Sequence, residues 1–441
     1  MDVFLRIIQV VFALSILVLV HEFGHFFFAR LFKIRVEKFY LFFNPWFSLF
    51  KFKPKNSDTE YGIGWVPLGG YCKISGMIDE SMDKEALKGE PQPWEFRSRP
   101  TWQRFLVMFG GVFFNFILAI LIYAGSLFTW GDSYLKNSDA IYGVNCSDLA
   151  LEIGFQNGDK ILYLDGNTVD AFHDIHATMI RDQVRQVTVL RGGLTINIDI
   201  SPDYISQMLS TLMFEPRLPS FITTVVDSSL NKEVLLAGDR IVAIDSSETF
   251  IVQDIQKVLA QNSGKTITAT VLRNGEEITT DLIVDNSGKL GIIFDVTYSK
   301  FLNTTIHNYS LLASIPAGFN KAVSKISNYL KELKLIFSPK TEAYKSVGSF
   351  ITIGRIFPAT WSWEIFWDIT ALLSIMLAII NLLPIPALDG GHILFLIFEM
   401  VSGRKPGDKF MEYATLIGML ILFAIMFFAL GNDIFRLFKQ P

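Results

Sequence analysis

The sequence predicts a multi-pass α-helical membrane protein, with four transmembrane helices and a re-entrant β-loop, into which two small α+β domains are inserted. Three observations carry that fold class. Apolar residues collect in four blocks of membrane length. A stretch of ordinary soluble composition between the second and third blocks contains an internal repeat. Two histidines and a glutamate sit inside the first apolar block, where an ionisable group costs on the order of 3 kcal/mol or more unless something offsets it.

Composition agrees. Half of the 441 residues are hydrophobic, 40 residues are Phe, and only 19% are charged, against about 25% in an average soluble chain. The net charge of −4 comes with no run of like charges, so no nucleic-acid partner is expected. Cys72 and Cys146 lie far apart, which excludes a disulfide framework and a Cys-rich metal site.

A helix needs about 20 apolar residues to cross a bilayer. The first block runs from roughly Phe4 to Ala29, the second from Phe105 to Trp130, the third from Ile365 to Leu383 and the last from Tyr413 to Phe438. A cleavable signal would have an apolar region of about 7–15 residues ending at a small-x-small site. Here FFFAR continues past His25 and no such site follows Val20, so the first block is expected to be retained as a span. Residues 1–130 therefore form an N-terminal membrane part. Between its spans lie Arg30, Lys33, Arg35, Lys38, Lys51, Lys53, Lys55, Lys73, Lys84, Lys88, Arg97, Arg99 and Arg104, and Arg404, Lys405 and Lys409 precede the last span. Basic residues in short loops mark the cytoplasmic side, which places both termini and residues 131–361 outside. At 1.5 Å per residue, His25 lies about 8 Å inside the cytoplasmic end that Arg30 marks.

In the soluble stretch, NGDKILYLDG (Asn157–Gly166) recurs 80 residues later as AGDRIVAIDS (Ala237–Ser246), and VLRGG (Val189–Gly193) matches VLRNG (Val271–Gly275). Each copy reads as a Gly-Asp turn, an alternating strand, a helix and a two-residue hairpin turn at Gly192-Gly193 or Asn274-Gly275. Two tandem α+β domains follow, over 140–205 and 210–297. The repeated pattern resembles the PDZ domains of bacterial membrane-associated proteases. From Tyr309, apolar residues at Leu312, Phe319, Val323, Ile326, Leu330, Leu333 and Phe337 change to helical steps. An amphipathic helix over 304–338 is expected, lying along the outer membrane surface or packed on the domain pair. Residues 361–441 form the C-terminal membrane part.

The chemistry concentrates in two stretches. His21-Glu22-Phe23-Gly24-His25 is H-E-x-x-H, and on a helix residues four apart share a face, so two imidazoles can converge on one metal ion. Glu22 can then take a proton from an activated water. Catalytic zinc commonly has three protein ligands, so a third is required. His173, His176 and His307 fall outside the membrane by topology. Asp389, in LDGG, stands at the depth of the two histidines and is the candidate, with His392 as rival. Pro384 and Pro386 in NLLPIP remove backbone donors and break or kink the helix before it. Freed carbonyls in lipid need partners, and an unwound substrate could supply them. In YGIGWVPLGGYCKISG (Tyr61–Gly76), alternation, aromatics and the glycines Gly62, Gly64, Gly69 and Gly70 read as short strands dipping into the membrane, with an edge that an extended substrate could join.

HEFGH in the first span, NLLPIPALDGGH in a later one and the repeated domains between them resemble the site-2 protease family of intramembrane zinc metalloproteases (peptidase family M50). The closest group is that of the bacterial regulators of sigma-E. The likeness covers essentially the whole chain. It implies zinc held by His21, His25 and Asp389, Glu22 as general base, and Asn381 gripping substrate backbone beside Pro384. It implies a bacterial inner-membrane enzyme, acting as a monomer, that cuts single-pass membrane proteins in the bilayer near the cytoplasmic side. Anti-sigma factors and signal-peptide remnants are its expected substrates in regulated intramembrane proteolysis. One departure stands out: the Gly-Pro stretch usual before the third span reads Val347-Gly348-Ser349-Phe350 here. The alternatives are a catalytically idle PDZ scaffold, which needs neither ligands nor base, and a transporter, for which four spans offer little pathway.

Overall fold

The computed structural model describes residues 2–67, 69–77, 90–245 and 247–439. Leu68, Lys84, Lys88 and Ser246 of the sequence reading lie outside these ranges. The chain divides into two compact units, Met1–Gly131 with Asn308–Lys334 and Tyr344–Pro441, and Asp132–His307 with Leu335–Ala343.

The first unit is helical. It begins with α1 (Asp2–Leu31), a sheet of β1 (Val36–Leu41), β2 (Phe50–Phe52), β3 (Glu60–Ile63) and β4 (Tyr71–Ile74), and α2 (Thr101–Thr129). It resumes with α3 (Leu311–Ile336), α4 (Phe350–Ile356), α5 (Trp363–Leu382), α6 (Asp389–Ser402) and α7 (Asp408–Lys439). Among the described residues, four helices are long and apolar enough to cross a membrane: Val3–Leu31, Thr101–Thr129, Trp363–Leu382 and Lys409–Arg436. They match the four expected blocks.

Antiparallel packing of α1 on α2 organises this unit. A Cβ on Gly24 would stand 2.2 Å from the Gly110 carbonyl oxygen, and one on Gly110 would stand 2.5 Å from that of Gly24. Small residues at a membrane helix crossing let backbones approach this closely. Phe32 meets Trp102 edge-on at 5.3 Å toward one end, and Ala13 and Leu17 pack on Phe366, Ile369 and Leu373 of α5 toward the other.

The third crossing is broken. Ser362 caps α5, its hydroxyl accepting the Ile365 N–H. The helix then stops at Leu382, where Pro384 and Pro386 cannot donate, and helix resumes at Asp389. Ala387, within the break, has φ of 98°, a region costly for a residue with a Cβ. Contacts to α2 run in reverse order along α5 and α6. The Ser374 hydroxyl donates to the Asn115 carbonyl, Ile393 packs on Met108, and Arg104 pairs with Glu399. The two helices thus continue in one direction across the break.

The sheet order is β2-β3-β1-β4, with β1 parallel to β3 and the other pairs antiparallel. Its edge strand β4 lies beside α1: a Cβ on Gly70 would meet Val18 at 2.8 Å and Glu22 at 3.6 Å.

Helix α3 starts at Leu311 rather than 304, because Thr304–His307 pairs as a strand with Asp132–Leu135. Its packing face takes only Ile326 and Leu333 from the expected apolar stripe. Gly318 approaches Ala124, and Ala322, Ile326, Tyr329 and Leu333 pack among residues of α2 and α5. Leu312, Phe319, Val323 and Leu330 stay exposed. Small residues win the interface by close approach.

The second unit holds two lobes with corresponding parts. Strands Lys160–Leu164, Gln186–Arg191 and Leu194–Asp199 with helix Asp174–Arg181 answer to Arg240–Ile244, Thr266–Arg273 and Glu276–Ile283 with helix Val252–Gln261. Positive φ at Gly192-Gly193 and Asn274-Gly275 suits the predicted two-residue hairpins. The repeated Asp and Arg meet: Arg191 donates to buried Asp159 through two nitrogens at 2.7 Å, and Arg273 to buried Asp239 at 2.8 Å. Burial alone would raise the Asp239 pKa; the Arg273 guanidinium and the Leu236 N–H hold it below the usual carboxylate range. The first lobe is longer than expected. Phe214–Pro216 pairs with Val144–Cys146, and Leu135, Met213, Leu218 and Leu302 join its core. Pairing across that separation leaves no local pattern in the sequence.

Gly24→Ala should prevent the α1–α2 approach, because the obstacle is backbone and cannot swing aside. A loss of about 1–3 kcal/mol or more is expected, seen as a lower melting temperature in detergent. Gly125→Ala, where a Cβ meets nothing within 4 Å, should melt like the wild type. Equal melting of the two variants would contradict this packing.

Candidate metal centre

The helical period brings His21 and His25 to one face of α1, and both are buried. Asp389 opens α6 directly after the break. Its Oδ2 lies 3.2 Å from His21 Nε2 and 3.4 Å from His25 Nε2, and the two Nε2 atoms are 3.3 Å apart. Among the described residues this is the one group of three His, Cys, Asp or Glu ligand atoms lying within 4.8 Å of one another.

The surroundings fit a cation. His25 donates its Nδ1–H to the Val107 carbonyl at 2.9 Å, which leaves the Nε2 lone pair directed at the common point. Asp389 Oδ2 is buried and receives no hydrogen bond. A buried carboxylate oxygen facing two imidazole nitrogens, without a donor, is the arrangement a divalent ion completes. Two imidazoles and a carboxylate are a zinc donor set with room for a further ligand. Gly111 makes the space, since a Cβ there would stand 2.6 Å from both His21 Cε1 and His25 Nε2.

Glu22 and the three ligands line a cavity of about 780 Å³. Gly70 and the β4 residues Tyr71 to Ile74 form one wall, and Ala387, Leu388 and His392 form another. The edge of the sheet and the helix break therefore face the same space.

The sequence-predicted residues distribute unevenly. His21, Glu22, His25, Asp389 and Gly70 share the cavity, and Asn381 places its amide nitrogen 3.4 Å from His21 Nε2. Pro384 sits within the break. Gly62 makes room for the Tyr40 ring, Gly64 for the Phe43 backbone and Gly69 for the Phe43 ring; none of the three lines the cavity. His392 lines it but stands outside the ligand cluster. Three contributions from α2 were not anticipated: the Val107 carbonyl, Gly111, and Asn115, whose amide lies 3.3 Å from His21 Nδ1. A paired glycine and a lone Asn within an apolar span were the available signals.

Comparison with known proteins gives one consistent picture. The model of peptidase family M50 matches residues 9–425. The regulator of sigma E protease of Haemophilus influenzae is 28% identical, over 96% of this chain and 97% of its own length. The protease RseP of Yersinia pestis is likewise 28% identical, over 96% and 97%. A Vibrio cholerae protein that carries a zinc metalloprotease name is 29% identical over 99% of this chain and all of its own.

Removing the third ligand should be visible in metal content. Purified Asp389→Ala should fall from about one zinc per chain to a minor fraction, whereas His392→Ala should stay near one. Elemental analysis of both variants checks this, and the reverse outcome would reassign the ligand.

Proposed function

The chain belongs to peptidase family M50, a zinc-dependent intramembrane protease, and from that premise we propose that it cuts single-pass membrane proteins close to the cytoplasmic face of a bacterial inner membrane. The observation that carries the reading is the convergence of His21, His25 and Asp389 beside Glu22 in one cavity within apolar helices. An idle scaffold would have no use for that convergence.

Each residue takes a role from its position. His21, His25 and Asp389 hold zinc, which when bound supplies the Lewis acidity that polarises a scissile carbonyl and acidifies a water. Glu22 is the general base. It takes the proton of the attacking water and delivers it to the leaving amine. An extended substrate segment lies alongside β4, the edge strand of the sheet, in the manner of an added strand. Asn381 and the broken segment around Pro384 hold its other side, with Gly70 keeping the approach to Glu22 open. The β1–β4 sheet is then the re-entrant element of the family, and the cytoplasmic side is the one bearing the basic loops. Anti-sigma factors and signal-peptide remnants fit this substrate class.

Glu22→Gln retains both imidazoles and Asp389 but loses the proton acceptor. Cleavage of a single-pass substrate by the purified variant should fall at least about 10²–10⁴-fold with zinc content unchanged. Turnover near the wild-type rate would refute the assignment.

The two lobes are PDZ-like units on the periplasmic side, and their role is a size filter more than tail capture. Doubling of the unit and its insertion between two spans support this. Replacing Ile141–Asp295 with a flexible linker should permit cleavage of substrates that keep a bulky external domain. The rate on trimmed substrates should stay similar. Loss of cleavage of trimmed substrates, in a variant that still folds and binds zinc, would show that the lobes present substrate instead.

A further inference from the structure

The two histidines of the metal centre are held differently, and the difference isolates one residue. His25 has a fixed acceptor for its Nδ1–H, the Val107 carbonyl. His21 has no such carbonyl. The group at its Nδ1 is the side-chain amide of Asn115, 3.3 Å away. Asn115 is fully buried in α2, and its Oδ1 has no hydrogen-bond partner while its Nδ2 faces the ring. Its backbone carbonyl is separately engaged by the Ser374 hydroxyl, so the side chain is free of that helix contact.

An imidazole that offers Nε2 to a metal must carry its proton on Nδ1. That proton needs an acceptor in a dry site, and among the described residues the side chain placed at His21 Nδ1 is Asn115. Turning the amide by half a revolution about its last bond presents Oδ1 to Nδ1 without changing the space it fills. Both open points close at once: Oδ1 gains a donor, and the Nε2 lone pair is left directed at the cluster. With the amide in the opposite sense, Nδ2–H donates to Nδ1, and the ring proton moves to Nε2, where it blocks metal binding.

We infer that Asn115 is a positioning residue that sets the tautomer of His21, its amide oxygen selecting the zinc-binding form. The inference rests on the zinc assignment. It places a residue of the second span, outside both sequence motifs, in control of metal affinity. Outer partners of metal-bound histidines typically change affinity 10–100-fold when removed.

The test uses the full-length protein in detergent, stripped of metal and retitrated with zinc against a competing chelator. Asn115→Leu, apolar and of similar size, should weaken zinc binding about 10–100-fold while the metal-free protein melts at the wild-type temperature. Asn115→Asp, which can only accept from Nδ1–H, should bind zinc as tightly as the wild type or more tightly. Should the Leu variant fail to fold, Asn115→Ala serves in the same comparison with Asn115→Asp. Wild-type affinity in the Leu or Ala variant overturns the inference, as does an Asp variant no better than either. A wild-type chain that takes up no zinc would overturn the zinc assignment itself.

Discussion

Three electron-rich atoms aimed at one point inside apolar helices set the terms for the rest of the helical unit. His21 Nε2, His25 Nε2 and Asp389 Oδ2 stand 3.2 to 3.4 Å apart, at a depth where an unpaired carboxylate would be expensive. A cation resolves that conflict, but only if three separate elements deliver their atoms to the same place. The α1–α2 approach at Gly24 and Gly110 is what makes the delivery possible. It lets the face of α1 that carries the imidazoles lie against backbone, and Gly111 leaves them the volume they occupy. The third atom arrives because helix stops at Leu382 and restarts at Asp389.

The same break has a second consequence. Irregular backbone at membrane depth is tolerated only against protein or a cavity, and here the 383–388 segment meets a cavity whose opposite wall is the edge strand β4. The break and the edge strand therefore face one another across the space lined by Glu22, His21, His25 and Asp389. A peptide in extended form would have backbone donors and acceptors to offer both, whereas a helical one has its own already paired. In the reading proposed above, unwinding of substrate and placement of the scissile bond become parts of one binding event.

What could be read from the sequence was whatever had a local signature. H-E-x-x-H declares itself by spacing, Asp389 by standing in LDGG at the expected depth of the two histidines, and the lobes by their repeat. The repeat even contained its own explanation, since the recurring Asp and Arg prove to be the partners Asp159–Arg191 and Asp239–Arg273. The motif is structural, a buried charge matched bidentately. What could not be read depends on partners distant in the chain. Phe214 joins the first lobe only because Val144–Cys146 offers it an edge. Gly62 and Gly64 looked like substrate contacts, but among the described residues their missing side chains are filled by Tyr40 and Phe43. Asn115 was visible as a polar residue in a span, yet only the fold brings it to His21.

Helix α3 extends this logic to a face that hydropathy misjudges. In water, the side with Leu312, Phe319, Val323 and Leu330 would be the buried one. Against membrane helices the decision passes to close approach and to charge. Gly318 admits the Ala124 backbone, and Lys321 reaches Asp368 at 2.9 Å while lying over the Tyr123 ring. One side chain thus ties α3 to both α2 and α5. Those are the helices that bring Asn115 and Asn381 to His21. The contacts of α3 therefore fall on the two helices whose Asn115 and Asn381 lie beside His21. The polar pair at Lys321–Asp368 adds to that packing a contact that a slide of α3 along α5 would break.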